Sequence, residues 1–102
     1  MTHAPTIPVP MNQIRDFCAK WRVRELSLFG SVLRADFRPD SDVDVLVELQ
    51  PDHGLSLYDW VDMIDELKAM FGRDVDLVSK TGLENPIRRA EILRTAEVVY
   101  AA

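Results

Sequence analysis

The segment Asp42–Leu49, DVDVLVEL, interleaves aspartate with valine, and this alternation constrains the fold more than any other stretch of the chain. Valine favours strands because its branched side chain packs on a pleated surface. Side chains alternate across a strand, so residues i and i+2 share a face. Asp42 and Asp44 therefore project together from one side, while Val43, Val45 and Val47 project from the other into a core. The chain is expected to build a sheet with one buried face and a pair of carboxylates at the rim of the opposite face. Two ionised carboxylates at that separation repel each other. Solvent offsets the repulsion if the face is open. A divalent cation does so better, and Mg²⁺ favours one or two carboxylates together with phosphate oxygens and water.

A second stretch, DVDLV at Asp74–Val78, repeats the pattern and carries Asp76. If the two strands are neighbours, Asp42, Asp44 and Asp76 form a two-metal site suited to phosphoryl or nucleotidyl transfer. A third strand, Glu25–Phe29, stops at Gly30–Ser31 and leads into a helical turn over Ser31–Ala35. Backbone N–H groups at such a junction face an anion, and glycine lets a phosphate approach closely. The Ser31 hydroxyl adds a donor, and Arg34, one turn on, adds a charge-assisted one. Each piece alone has an ordinary reading: a turn, a solvated strand face, an aspartate paired with an arginine. Their order makes them specific.

The remaining elements follow from periodicity. Ile14, Phe17, Cys18 and Trp21 predict a helix over Met11–Arg22. Leu57, Trp60, Val61, Ile64, Leu67 and Phe71 predict an apolar stripe on a helix over Ser56–Phe71, with Ser56 and Asp59 as a capping box and Gly72 ending it. A last helix is expected from Asn85 or Pro86 to Arg94, and a closing strand over Glu97–Ala101. Phe37–Ser41 has turn chemistry, which leaves Asp36 and Asp40 in the connection. Residues 1–10, with three prolines, read as a mobile lead-in, and residues 11–102 as one mixed α/β domain of three to four strands flanked by helices.

With 102 residues the chain has room for one core, and 47% hydrophobic with 28% charged residues is ordinary for a globular protein. No apolar run is long enough for a membrane span, and the N-terminal residues lack the pattern of a secretory signal. The single cysteine, Cys18, fits a reducing, cytoplasmic setting and reads as a small buried hydrophobe. A net charge of −5 argues against a broad nucleic-acid surface.

Competing motifs fail. Asp40, Asp42 and Asp44 imitate the start of an EF-hand loop, but Val45 stands where its glycine belongs and Pro51 where its glutamate belongs. No P-loop sequence is present. His3 and His53 lack zinc-ligand spacing.

Gly30–Ser31, ten residues, then Asp42-x-Asp44 resembles the G-S-x10-D-x-D signature of the DNA polymerase β-like nucleotidyltransferases. The resemblance is strongest to the minimal nucleotidyltransferases, or MNT-domain proteins, and runs from about Ile14 onward through LFGSVLR, PDSDVDVLVE, GRDVDLV and IRRAEILRTAEVVY. It implies the nucleotidyltransferase fold, a short mixed sheet flanked by helices. It implies two Mg²⁺ ions held by Asp42 and Asp44, Asp76 as the third carboxylate, and Gly30, Ser31 and Arg34 on the triphosphate of ATP. Ala35 departs from a frequent glycine, and Asp74 from a frequent lysine or other polar residue. Asp74 shares strand parity with Asp76, so either serves as third carboxylate; Asp76 is preferred because apolar strand residues flank and fix it.

MNT proteins are commonly antitoxins paired with HEPN-domain ribonuclease toxins, and are similar to adenylyltransferases that move AMP from ATP to a toxin tyrosine. The resemblance thus implies a protein acceptor and a cognate HEPN partner, with no membrane. Two other readings stay open: a non-catalytic antitoxin that acts by contact alone, and nucleotidyl transfer to RNA. Arg88, Arg89 and Arg94 on the last helix either dock a partner or form a solvated face.

Overall fold

A computed structural model describes residues 9–30 and 41–102. The expected helical turn at Ser31–Ala35, most of the turn at Phe37–Ser41 and residues 1–8 of the expected lead-in lie outside them. Val9 packs against the core, and Pro10 precedes the first helix.

That helix, α1 (Met11–Trp21), buries Ile14, Phe17, Cys18 and Trp21, the stripe its periodicity requires. It ends one residue earlier than expected. Arg22 takes the left-handed conformation (φ 56°) and its N–H donates to the Cys18 carbonyl, which stops the helix and turns the chain directly into β1 (Val23–Phe29). β1 therefore starts two residues before the expected Glu25. Val23 is buried and belongs to the core, although charged Arg24 and Glu25 follow it.

β2 (Val43–Leu49) pairs antiparallel with β1. α2 (Leu57–Phe71) follows, then β3 (Val75–Ser79), which pairs parallel with β2. A short 3₁₀ turn (Lys80–Gly82) leads to α3 (Pro86–Thr95) and β4 (Glu97–Ala101), antiparallel to β1. The sheet order is β3-β2-β1-β4, a four-stranded mixed sheet. The parallel β2–β3 pair needs a crossover, which α2 supplies.

Cap chemistry at α2 is as the residues dictate. The Ser56 hydroxyl accepts from the Asp59 N–H, the Asp59 carboxylate accepts from the Ser56 N–H, and Gly72 closes the far end at φ 69°. The expected stripe is rotated, however. Met63 and Leu67 are buried, Trp60, Ile64, Met70 and Phe71 pack beside them, and Leu57 and Val61 face solvent. α3 is capped by Asn85, whose side chain accepts from the Ile87 and Arg88 N–H groups.

Two apolar clusters fix the layers. Val43, Val45, Val47, Val75 and Leu77 point toward α1 and α2 and form the main core with Ile14, Phe17, Met63 and Leu67. The opposite face packs Phe29 and Leu46 against Leu83 and Ile92, so α3 covers it. Each such side chain contributes roughly 1.5–3 kcal/mol on burial. Cys18 is 1% exposed, and desolvation pushes its thiol up to about 12 from 9.0. Among the described residues no helix is long and apolar enough to cross a membrane.

Candidate functional site

Strand alternation puts Asp44 on the α3 face of the sheet, between core valines Val43 and Val45 that point the other way. The parallel register sets Asp44 directly beside Asp76, just as Val43 stands beside Val75 and Val45 beside Leu77. Neighbouring strands lie about 4.8 Å apart, so the two carboxylates leave adjacent backbone positions on the same face. Asp44 is half-buried and Asp76 exposed, which gives the pair a closed side and an open one.

On the other side of Asp44 the antiparallel register sets Phe29, the last residue of β1. Gly30 follows at φ 74°, in the left-handed region. A Cβ at Gly30 would overlap the Asp44 carboxylate itself. The glycine thus does two things: it turns the chain off the end of β1, and it leaves room for the carboxylate against the backbone.

Asp42 is exposed and stands one residue before β2, at the same end of the sheet. The Val43 N–H donates to the Asp74 carbonyl at 2.9 Å, which holds the start of β2 against the start of β3. Asp74 also precedes its strand, and its carboxylate lies 3.7 Å from Lys68 Nζ on α2. Asp76 lies inside β3 between Val75 and Leu77 and shares a rung with Asp44, whereas Asp74 precedes the strand and shares none. Ser31 and Arg34 lie outside the described residues.

Beneath the carboxylate rung, Phe29, Leu46 and Val78 pack against Leu83, Ile92 and Ala96 and close the floor. The three arginines of α3 are not equivalent. Arg89 donates through Nη1 to the Lys80 carbonyl and ties α3 to the end of β3, whereas Arg88 and Arg94 are exposed. Sequence reasoning missed Lys80. It stands 3.2 Å from Glu48 and 4.0 Å from Glu25 on the carboxylate face, at the opposite end of the sheet. The parity Asp76, Val78, Lys80 would have placed it on that face.

Carboxylate oxygens on one rung suit a hard divalent cation. Among the described residues no group of three His, Cys, Asp or Glu side chains is gathered closely enough to hold a metal ion. Asp44 and Asp76 therefore fit Mg²⁺ in its ordinary mode, in which one or two carboxylates are completed by substrate phosphates and water.

A mixed sheet that sets strand-borne carboxylates beside a glycine-ended strand defines a scaffold for transfer at phosphorus. Residues 11–99 match the nucleotidyltransferase domain family. The protein adenylyltransferase MntA of Thermococcus cleftensis is 40% identical over 81 residues, 79% of this chain and 77% of its own. A solved structure assigned as a minimal nucleotidyltransferase superposes with a TM-score of 0.71 at 34% identity, over 85% of this chain and 86% of that one. The fold is also that of a chain in the complex of a tri-AMPylated HEPN toxin with its MNT antitoxin from Shewanella oneidensis (TM-score 0.61, 19% identity, 90% of this chain and 70% of that one). The chain belongs to the nucleotidyltransferase-domain family, as a homologue of a protein adenylyltransferase.

Proposed function

We propose that this chain moves AMP from ATP onto a tyrosine hydroxyl of a HEPN-domain toxin and so acts as its antitoxin. The observation that carries the reading is the Asp44–Asp76 rung, with Gly30 leaving the space that the Asp44 carboxylate occupies. The 40% identity to a protein adenylyltransferase supports a protein acceptor, and the AMPylated HEPN toxin in a complex of the same fold supports its kind. The net charge of −5 supports protein over RNA.

In this reading Asp44 and Asp76 would hold Mg²⁺ across their rung, Asp42 would reach the second ion of the loaded site from the same end of the sheet, and Gly30, Ser31 and Arg34 would hold the triphosphate. When bound, the cation lowers the pKa of the acceptor hydroxyl and neutralises charge on the phosphates. The acceptor oxygen forms a bond to the α-phosphorus, the α–β anhydride bond breaks, and pyrophosphate leaves with the electron pair. The hydroxyl proton passes to solvent on the open side of the rung, where Asp76 lies exposed. Asp44, half-buried against Gly30, keeps a fixed position while substrates exchange.

The test is mass analysis of the co-encoded HEPN protein after incubation with ATP and Mg²⁺. The reading expects a tyrosine heavier by one or more AMP groups. Labelled tRNA in place of labelled protein would move the acceptor to RNA. Neutralisation of the toxin with no adduct at all would leave contact alone as the mechanism.

A further inference from the structure

The first turns of α2 hold three large apolar side chains out into solvent: Leu57 at 84%, Tyr58 at 85% and Val61 at 55% exposure. They are not needed to start the helix, because Ser56 and Asp59 cap it. Leu57 also lines an open groove of about 330 Å³, shared with Leu49, His53, Leu55 and Trp60. Leu57 joins the strip to the groove, whose lining also holds Ser56 and Ser79. Exposed apolar surface of this kind marks an interaction site when polar groups rim it.

The rim is acidic. Asp62 stands one turn from Tyr58, and Asp65 one turn from Val61, both exposed on α2; exposed Asp52 lies on the loop at the groove. Among the described residues no ion pair engages Asp62 or Asp65. Lys68 lies against Asp74, and Arg22 points at the Asp52 and His53 carbonyls, 3.4 Å from each. A second copy of this chain is a poor occupant, since it would set Asp62 and Asp65 against their own likeness. Leu57 and Val61, at i and i+4, form the kind of ridge that packs into the groove of another helix.

We infer that the first turns of α2 and the adjoining groove are the docking face for a basic amphipathic helix of the protein partner. Its apolar side chains meet Leu57, Tyr58 and Val61, and its Lys or Arg residues meet Asp62 and Asp65. The inference rests on the reading that the partner is a protein, not on the transfer chemistry. The face is remote from the carboxylates: β2 runs from Asp44 to Leu49 at the groove, roughly 17 Å at the rise of a strand, and α2 lies on the other side of the sheet. A partner held there leaves the carboxylate end open to nucleotide.

The experiment is titration of the full chain with the co-encoded HEPN-domain protein, followed by calorimetry. Two double variants are used, Leu57→Ser with Tyr58→Ser, and Asp62→Lys with Asp65→Lys. Each is expected to weaken partner binding at least tenfold, with ATP affinity within twofold of wild type. The charge-reversal loss is expected to shrink as salt is raised. All four positions are exposed, and circular dichroism checks that the variants fold. Partner binding within twofold of wild type in both variants overturns the inference. So does tighter binding after charge reversal, absence of binding by the wild type, or a wild-type dimer that the apolar variant dissolves. Partner binding without AMP transfer sinks the transfer reading and leaves the docking face standing. Transfer with unaltered partner binding in both variants does the reverse.

Discussion

Gly30 and Asp44 compete for one space: the Asp44 carboxylate fills the position that any Cβ at residue 30 would take. The antiparallel register that sets Phe29 beside Asp44 brings them together, and the φ of 74° turns the glycine toward the carboxylate. The expected role of this glycine was to admit a phosphate. In the fold it first admits a carboxylate.

This relationship predicts how substitutions at Gly30 couple to Asp44. Alanine loses about 1–2 kcal/mol in the left-handed region, and the overlap adds to that. Asparagine tolerates the backbone conformation but still carries a Cβ, so Gly30→Asn should also destabilise. With Asp44→Ala in the background, the asparagine loss should largely vanish. Urea denaturation of the four proteins measures the coupling, expected at ~1 kcal/mol or more. Additive losses would mean that backbone conformation alone matters at residue 30.

The register separates the two candidates for the third carboxylate. Asp76 shares a rung with Asp44, whereas Asp74 precedes its strand beside Lys68. Asp76→Asn should cut AMP transfer by roughly 100-fold, given several kcal/mol of charge stabilisation at such a site. Asp74→Asn should leave transfer near wild type and change stability by under about 1 kcal/mol, because exposed ion pairs contribute little. Initial rates and melting curves of the two variants check this, and the reverse ranking would reassign the site.

The rotation of α2 has an energetic signature. Leu67 is fully buried, so Leu67→Ala should cost about 2–5 kcal/mol. Val61 is 55% exposed, so Val61→Ala should stay within about 0.5 kcal/mol. Equal losses in chemical denaturation would restore the stripe expected from periodicity.

Burial of Cys18 predicts both reactivity and pH dependence. With its thiol pushed up to about 12, it should resist thiol reagents at pH 8 until the chain unfolds. The folded state keeps its proton while the unfolded thiol ionises above 9.0. The contribution is therefore fully present below pH 9.0 and is lost as pH rises toward about 12. Stability should fall more steeply with pH over that window in wild type than in Cys18→Ala. Parallel curves would show that Cys18 titrates alike in both states.

Much of this architecture was legible because local rules act within a few residues. The aspartate–valine alternation determined which face Asp44 and the core valines take, and Ser56, Asp59 and Gly72 marked both ends of α2. What was not legible depends on neighbours in space. The apolar residues of α2 extend past both edges of its stripe. Periodicity therefore could not say that Met63 points inward and Val61 outward; contact with α1 and the sheet decides it. Arg22 carries no local signal for its left-handed conformation, so the expected helix ran one residue long and β1 began late. Arg89 read as a free cation, yet it is spent on the Lys80 carbonyl. The apolar flanks of Asp76 already favoured it over Asp74; that it shares a rung with Asp44 is a property of strand pairing, which no single strand reveals.

The most direct test of the account follows the α-phosphate of ATP. Wild-type protein and Mg²⁺ should transfer label from α-labelled ATP to the proposed HEPN-domain partner in a single-turnover assay. Asp44→Asn should lose that transfer by roughly 100-fold or more while still binding the partner. Undiminished labelling by Asp44→Asn would contradict the claim that the Asp44–Asp76 rung carries the reaction.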